Sequence, residues 1–266
     1  MSTKYFCLAS LLVWGCGTEK EWLFEENIII PEVFPIGIVL VDNDFIVSDP
    51  DNNRLVRVDG SGNILKEWGG FQRPMHITEI NSTVYVPEFI SDSLKVLEED
   101  MIKSFDIDAS FDAPAAIDIN ESTLAVADFY NHRILLSQNG QISSIGVECH
   151  EDGKLYYPTD VKIYRDKIFV ADAYNNRIQV FDKTGQSVKI IGWKEDIAVA
   201  TGIEVFDDQV FVTDFYGNRV LVYDLKGRLK KVYSDQFDGP TDILVTKDHM
   251  YVANYKGGYI AVYRKE

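Results

Sequence analysis

Three shortages narrow the interpretation of this chain: it has few basic residues, few cysteines, and no long apolar run after its first sixteen residues. Lys and Arg together number 26 against 42 Asp and Glu, so the formal net charge of the 266 residues is −16. Such a charge would repel a phosphate backbone, and the chain lacks the basic face that RNA or DNA binding requires. We therefore expect no nucleic-acid partner, and after residue 16 no segment is apolar enough to span a membrane as a helix.

Familiar catalytic motifs are also missing. The sequence has no G-x-S-x-G elbow, no H-E-x-x-H pair and no P-loop, and no nucleophile can be matched with a base. The phrase CHED at residues 149–152 contains metal-binding residue types, but it lies in a glycine-flanked connection with no second cysteine near it. We interpret it as a loop and assign no catalytic residue.

The first sixteen residues differ from the rest of the chain. Lys4 is their only charge, and an apolar stretch from Tyr5 to Trp14 ends at Gly15 and Cys16. This outline predicts a secretory signal peptide at residues 1–16. The ending VWGC resembles the lipobox of bacterial lipoproteins, which implies an acyl chain on Cys16 and anchoring in the cell envelope, at the outer membrane or in the periplasm. A short uncleaved anchor or a misassigned start are the alternatives.

If the signal is removed and Cys16 is acylated, Cys149 is the one thiol left, and a single thiol cannot form an intrachain disulfide. The fold must then be stabilised by packing.

A twelve-residue phrase occurs six times at intervals of roughly 40 residues, a period typical of repeat architectures. The copies are VSDPDNNRLVRV from Val47, VPEFISDSLKVL from Val86, VADFYNHRILLS from Val126, VADAYNNRIQVF from Val170, VTDFYGNRVLVY from Val212 and VANYKGGYIAVY from Val252. Upstream of each copy stands a residue that we call the proline slot: Pro35, Pro74, Pro114, Pro158, Ala200 and Pro240. The chain therefore contains six units.

Each unit has the pattern of four short strands. In the fourth unit, β-branched or aromatic runs begin at Val161, Ile168, Arg177 and Ser187, and turn residues separate them. Four antiparallel strands per unit are typical of a propeller blade. The repeated sequence has a proline-led inner strand, a V-A-D strand end and an N-N-R-I-x-V-F strand. In these features it resembles the NHL repeat family. This resemblance implies an all-β, six-bladed propeller, which we expect to be one monomeric domain at residues 17–266.

The ends of the chain predict how the ring closes. The sixth unit has three strands before the chain ends, and the extended apolar segment EWLFEENIII at residues 21–30 precedes the first unit. We expect this segment to supply the outer strand of the last blade, because that pairing removes two exposed strand edges.

When the six units are aligned, each set of equivalent positions forms a column. Two such columns, five residues apart, predict a structural contact. Asp49, Asp128, Asp172 and Asp214 are each followed five residues later by an arginine, and the arginine is absent where Glu88 or Asn254 replaces the aspartate. Four equivalent copies around a ring indicate a charge-assisted pair that stabilises the scaffold rather than a catalytic set.

Another column differs between units. Two places after the proline slot stand Gly37, His76, Ala116, Asp160, Gly202 and Asp242. If this column faces the channel, then His76, Asp160 and Asp242 form a nitrogen and oxygen ligand set for a divalent cation such as a structural calcium. The alternative is that the aspartates cap their own turns and that His76 is an ordinary polar residue.

Two propeller enzyme families can be compared with these slots. Peptidylglycine-amidating lyases carry zinc-binding histidines directly after the proline, where this chain has Ile36, Met75, Ala115, Thr159, Thr201 and Thr241. The resemblance therefore implies no catalytic zinc, although the slot of Asp160 and Asp242 corresponds to an aspartate that binds calcium in those lyases. Lactonases of the gluconolactonase type use glutamate, asparagine and aspartate, for which Glu88 and Asn254 are candidates.

Aromatic residues follow the aspartate column in several units and predict a binding rim on one face: Phe89, Phe129, Tyr130, Tyr174, Phe215, Tyr216 and Tyr255. Packing between blades is the alternative. We interpret His132 and His249 as solvated turn residues. Together these features favour a lipid-anchored, non-catalytic binding scaffold for an envelope protein, a peptide or a glycan. A metal-dependent lyase or lactonase with its site in the channel is the alternative.

Overall fold

The computed structural model describes residues 21–120 and 122–266. The predicted signal peptide, Cys16 and the start of the predicted domain at residues 17–20 lie outside the described residues. The described chain is an all-β, six-bladed propeller with four antiparallel strands in each blade. None of its helices is long and apolar enough to cross a membrane.

The first three blades follow one another along the chain, and each runs from an inner to an outer strand. Blade 1 contains β2 (Ile38–Val41), β3 (Asp44–Asp49), β4 (Arg54–Val58) and β5 (Ile64–Gly69). Blade 2 contains β6 (Thr78–Ile80), β7 (Thr83–Glu88), β8 (Ser93–Glu98) and β9 (Met101–Ser104). Blade 3 contains β10 (Pro114–Asn120), β11 (Thr123–Asp128), β12 (Arg133–Gln138) and β13 (Gln141–Ile145).

The last three blades repeat this order, except that blade 6 takes its outer strand from the start of the chain. Blade 4 contains β14 (Pro158–Tyr164), β15 (Lys167–Asp172), β16 (Arg177–Asp182) and β17 (Ser187–Ile191). Blade 5 contains β18 (Ala200–Phe206), β19 (Gln209–Asp214), β20 (Arg219–Asp224) and β21 (Leu229–Tyr233). Blade 6 contains β22 (Pro240–Val245), β23 (His249–Asn254), β24 (Tyr259–Lys265) and β1 (Trp22–Ile29). Two short 3-10 turns, Pro50–Asn52 and Ala173–Asn175, follow β3 and β15.

The predicted closure of the ring is confirmed. Strand β1 pairs antiparallel with β24 from Trp22 opposite Lys265 to Ile29 opposite Tyr259. Beyond this ladder, Glu21 and Glu266 exchange two backbone hydrogen bonds. The side chain of Trp22 is buried with its ring edge-on to Phe211 of blade 5. The start of the chain therefore completes blade 6 and also packs against the preceding blade.

The core lies between blades rather than in one central mass. Six clusters of buried apolar side chains each combine residues from two adjacent blades, so that every neighbouring pair, including blades 6 and 1, shares a core. The second strands of the blades are buried on both faces. In blade 3, for example, all six residues of β11 are buried, whereas most of the outer strand β13 is exposed. This explains why the V-A-D runs are almost continuously apolar, since strands covered on both faces have no polar side to alternate with.

The predicted pairs between aspartate and arginine occur in blades 1, 3, 4 and 5, where the aspartate also binds the connection that enters the blade. In blade 4, Arg177 Nε donates to Asp172 Oδ2 at 2.8 Å, and the other carboxylate oxygen of Asp172 accepts the backbone N–H of Tyr156. The same ion pair joins Asp49 with Arg54, Asp128 with Arg133, and Asp214 with Arg219. Glu88 instead accepts hydrogen bonds from Ser91 and Ser93. These carboxylates are engaged inside the scaffold, which agrees with the structural interpretation.

Candidate functional site

The inner strands define a channel and an entry face. Each inner strand contacts the inner strands of both neighbouring blades, which closes a ring around the axis. The proline that opens an inner strand lies opposite the last residue of the second strand, as Pro158 does with Asp172 and Pro240 with Asn254. The connections into the inner strands and the turns after the second strands therefore share one side of the ring. We call this side the entry face.

Three side chains of the variable column meet in the channel, a group that we call the channel cluster: His76, Asp160 and Asp242. They come from blades 2, 4 and 6, and one ligand atom from each lies within 4.8 Å of the others. All three residues are buried. The Nδ1 atom of His76 lies 3.7 Å from Asp242 Oδ1, which is an ion-pair distance and too long for a hydrogen bond. The expected convergence of these residues is therefore present.

The glycines of the same column lie where a neighbouring inner strand approaches closely. A Cβ atom on Gly37 would stand 2.7 Å from the carbonyl oxygen of Met75 and 3.0 Å from His76 Cα. One on Gly202 would meet the carbonyl oxygen of Thr241 and stand 2.9 Å from Asp242 Cα. A side chain at these two positions would clash with the strands that carry His76 and Asp242, which accounts for part of the variation in the column.

The two aspartates also cap backbone, as the alternative interpretation proposed. Each accepts the N–H of the following residue at 2.8 Å, Val161 for Asp160 and Ile243 for Asp242. Their other oxygens accept an N–H from the inner strand of the next blade, Ile203 at 2.7 Å and Ile38 at 2.9 Å. An ionised carboxylate offers about four acceptor positions. Capping and cation binding are therefore compatible at the same side chain.

Four places after the proline slot lies a lower charged layer that sequence reasoning missed: Asp118, Lys162 and Glu204. Side chains two residues apart on a strand share a face, so these groups point into the channel like the cluster above them. Lys162 Nζ lies 3.9 Å from Glu204 Oε2, and Asp118 Oδ2 accepts the N–H of Ile163. The same column alignment, read two residues further, would have identified them.

Burial and mutual charge shift the titration of both layers. Burial raises the pKa of Asp160 to about 6, although His76 and Lys162 act in the opposite direction. Burial alone would also raise the pKa of Asp242, but the nearby imidazole lowers it below its ordinary value. Burial disfavours the charged form of His76, yet Asp242 and Asp160 raise the pKa of its imidazole.

In the lower layer, burial raises the pKa of Glu204 to about 7 and also raises that of Asp118, with Lys162 offsetting part of each shift. Burial opposes the charge on Lys162, but Glu204, Asp118 and the cluster aspartates raise the pKa of its ammonium group. The channel therefore surrounds one lysine with an excess of carboxyl groups.

The entry face carries two separate groups of aromatic side chains instead of one closed collar. The first aromatic arc consists of Phe89, Phe129, Tyr130, Tyr157 and Tyr174 from blades 2, 3 and 4. Ring centroids are 5.5 Å apart for Phe89 and Phe129, 4.8 Å for Phe129 and Tyr157, and 4.9 Å for Tyr157 and Tyr174. With Arg73 and Ile90 the arc lines a hollow of about 560 Å³.

The second aromatic arc consists of Phe34, Phe215, Tyr216 and Tyr255 from blades 1, 5 and 6. Tyr255 lies 6.0 Å from Phe34 and 6.3 Å from Phe215, and Lys256 lies over the rings of Phe215 and Tyr216. Sequence reasoning identified seven of the nine aromatic residues of the two arcs and missed Phe34 and Tyr157, because these two precede an inner strand instead of following the aspartate column.

The aromatic residues of the two arcs differ in their exposure. Tyr130, Tyr174 and Tyr216 are exposed by 50%, 56% and 66%, whereas Phe89, Phe129, Phe215 and Tyr255 are half-buried against neighbouring blades. The phenylalanines therefore form a base on which exposed tyrosines stand.

The interpretation of His132 as a solvated turn residue was wrong. Its side chain is buried, its ring stacks on Tyr156, and its Nδ1 accepts the backbone N–H of Tyr157 at 3.1 Å. His132 thus supports the base of the first aromatic arc.

His249 is half-buried at the start of β23, within 3.5 Å of Glu25. Cys149 lies in the loop between β13 and β14, as expected.

Known proteins share this architecture at low sequence identity. A family model described as a 6-bladed beta-propeller matches residues 116–227. That match spans less than half of the chain. No curated protein matches the sequence.

Among solved structures, virginiamycin B lyase from Staphylococcus aureus superimposes with a TM-score of 0.67 and 14% identity, covering 92% of this chain and 99% of the lyase. A streptogramin B lyase gives 0.68 and 17%, covering 91% and 97% of the two chains. A protein of unknown function from Bacteroides thetaiotaomicron gives 0.68 and 14%, covering 94% and 73%. Likeness at these identities shows the fold alone, because one propeller fold carries many unrelated activities.

Proposed function

We propose that this protein is a non-catalytic binding scaffold that captures a protein, peptide or glycan on its entry face. The observation that supports the proposal is the first aromatic arc, in which half-buried phenylalanines carry exposed tyrosines around a hollow. Rigid aromatic side chains offer a large contact area at a small entropic cost, and such residues dominate binding energy at interfaces.

The arrangement of the arc favours recognition over simple packing. Tyr130 and Tyr174 each expose half or more of their surface at the hollow. Arg73 lies 5.7 Å from the ring of Phe89 and adds a hydrogen-bond donor at the edge of the hollow. A ligand can therefore stack on the tyrosines while Arg73 orients a polar group.

The test uses the full chain on peptide and glycan arrays, followed by titration of the best ligand. Replacing Tyr130 and Tyr174 by alanine should weaken binding by at least about tenfold, in the range of an interface hot spot. The matched control is Phe24→Ala, which removes an exposed aromatic from the outer strand β1. Equal binding by both variants would contradict the proposal.

We also propose that the repeats are of the NHL type and that the chain is a lipoprotein acylated at Cys16. The repeated sequence of the blades supports the NHL assignment, and the VWGC segment that ends at Cys16 supports acylation. Such an anchor would hold the scaffold at a membrane surface as a monomer, in the periplasm or at the outer membrane. Intact mass of the membrane-extracted protein tests the anchor: a Cys16 without acyl chains would overturn it.

A metal-dependent enzyme of the lyase or lactonase type is the second candidate. The channel cluster favours it, since one imidazole and two carboxylates can hold a divalent ion at the entry side of the channel. The fold likeness to virginiamycin B lyase supplies a substrate to try. Incubation with virginiamycin B and with simple lactones, followed by mass spectrometry, tests this candidate. Turnover that disappears in His76→Ala would favour the enzyme over the scaffold.

A further inference from the structure

The channel cluster draws its three side chains from alternate blades. His76 precedes β6, and Asp160 and Asp242 lie in β14 and β22, so that the three residues divide the ring of six blades evenly. Their ligand atoms lie within 4.8 Å of one another. In the tetrahedral geometry that zinc favours, bonds of about 2.0–2.2 Å place ligand atoms about 3.3–3.6 Å apart. The widest pair of the cluster would therefore have to close by up to roughly 1 Å around one ion.

A second observation points to a ligand at this place. Among the described residues, the Nδ1 atom of His76 is one of two buried side-chain polar atoms without a hydrogen-bond partner. His76 itself is only 5% exposed, and its backbone N–H is already used by Ala115. A buried ring nitrogen without a hydrogen-bond partner costs about 1–3 kcal/mol of stability. A ligand bound at Nδ1 would remove this cost. Asp242 is the nearest carboxylate at 3.7 Å and does not reach it.

The surrounding charge favours a cation. Asp160 and Asp242 belong to the cluster, and Asp118 and Glu204 lie one layer below it, whereas Lys162 is the one lysine among these six channel residues. The aspartates accept four backbone N–H groups from the four inner strands β2, β14, β18 and β22, and each carboxylate still has free acceptor positions. Both carboxylates are thus oriented before an ion arrives.

We propose that the channel cluster binds one divalent transition-metal ion, of the Zn²⁺ or Mn²⁺ class, and that this ion braces blades 2, 4 and 6. Imidazole suits zinc and its neighbours, while carboxylates suit manganese and magnesium, so a mixed set selects the transition ions. Calcium, our expectation from the sequence, takes six to eight oxygen ligands and is poorly served by two aspartates and a nitrogen. Such an ion is compatible with a binding scaffold and with an enzyme.

The experiment compares metal binding by the full chain after treatment with a chelator. Equilibrium dialysis against Zn²⁺, Mn²⁺ or Ca²⁺, with elemental mass spectrometry, should give one Zn²⁺ or Mn²⁺ per chain and a weaker response to Ca²⁺. Thermal unfolding should move to a higher temperature with the bound ion, because binding to the folded state alone stabilises it.

Variants locate the ion. His76→Gln should weaken binding of the preferred ion by more than about tenfold, since even outer partners of a metal site are worth 10–100-fold. Because no hydrogen bond among the described residues depends on Nδ1, this variant should fold, and circular dichroism of the metal-free protein checks that it does. Asp160→Asn and Asp242→Asn should behave likewise. Asp44→Asn is the control, because this half-buried carboxylate of blade 1 pairs with Arg57 and is not among the six channel residues, so its loss should leave metal binding unchanged.

Three results would overturn the inference. One is the absence of stoichiometric binding of Zn²⁺ or Mn²⁺, which would leave the ion pair between His76 and Asp242 as the resting arrangement. The second is binding that survives His76→Gln, which would direct attention to the CHED loop. The third is calcium bound as tightly as the transition ions. A ligand captured on the entry face by metal-free protein would leave the scaffold function standing in each case.

Discussion

The imidazole Nδ1 of His76 and the carboxylate Oδ1 of Asp242 face each other at 3.7 Å although their residues belong to blades 2 and 6. Only the closed ring brings them together, because blade 1 separates them along the inner circle. Neither side chain is solvated, so their contact depends on accurate placement of three inner strands. The stability of the ring and the chemistry of its channel are therefore coupled, and several predictions can test this relationship.

Deletion of residues 21–30 should abolish cooperative thermal unfolding near the wild-type temperature. Without β1, blade 6 has an exposed edge at β24, and Trp22 no longer covers the core that blades 5 and 6 share. A milder version is Trp22→Ala, which should cost about 3–5 kcal/mol of unfolding free energy, as for other large buried aromatics. Differential scanning calorimetry measures both.

Phe24→Ala controls for a change of residue in the same strand, since Phe24 is exposed. Its effect should stay below about 1 kcal/mol. A truncated chain that unfolds cooperatively at the wild-type temperature would show that the closure is dispensable.

Asp172→Ala should destabilise the propeller by about 3–5 kcal/mol, because it removes the buried carboxylate that pairs with Nε of the buried Arg177. The substitution also leaves the backbone N–H of Tyr156 without the carboxylate oxygen that accepts it. Chemical denaturation with urea gives the free energy.

The exposed ion pair of Asp224 and Arg228 provides the comparison. Arg228→Ala should change stability by about 0–1 kcal/mol, as for other surface pairs. Equal losses at the two sites would mean that the repeated pairs do not hold the blades together.

Gly202→Ala should destabilise the chain by roughly 1–3 kcal/mol, a common cost of overpacking. The new methyl group would press against the backbone of Thr241 and Asp242 and would displace a proposed metal ligand. Metal affinity should fall together with stability, which dialysis and calorimetry record on the same protein. At Gly60, an added Cβ would have no atom of the described part of the chain within 4 Å apart from the adjoining residues, and the same change should leave both properties unaltered.

Glu204→Gln should make stability less sensitive to pH. Burial raises the pKa of Glu204 to about 7, above its value in an unfolded chain, so the folded state holds the proton more tightly. The resulting stability is fully present below about pH 4.3 and is lost as the pH rises towards 7. Relative to wild type, the variant should therefore gain roughly 3 kcal/mol between pH 4.5 and pH 8.

The measurement is urea unfolding across that range with a chelator present. Lys162, Asp118 and Asp242 act on Glu204 through the channel and are unchanged in the variant. Phe24→Ala, which changes an exposed residue without charge, should give a curve parallel to wild type. A Glu204→Gln curve parallel to wild type would show that Glu204 does not titrate in this window.

The repeat by itself determined the fold. A phrase that recurs at a constant interval must form the same unit each time, and short β-branched runs with turn residues between them allow little except a four-stranded blade. The incomplete sixth unit and the apolar residues 21–30 likewise predicted that β1 pairs with β24, because two strand edges would otherwise be exposed. The pairs of Asp172 and Arg177 and their equivalents followed from residues that are replaced together.

Only the tertiary structure decided what the differing residues do. Column alignment selected His76, Asp160 and Asp242, but the distances among them and the orphaned Nδ1 of His76 depend on how six inner strands close around an axis. The burial of His132 and the division of the rim into two aromatic arcs depend on contacts between blades. A repeat fixes the conformation of each unit, whereas a site formed between units depends on their packing, which the local pattern of a sequence does not encode.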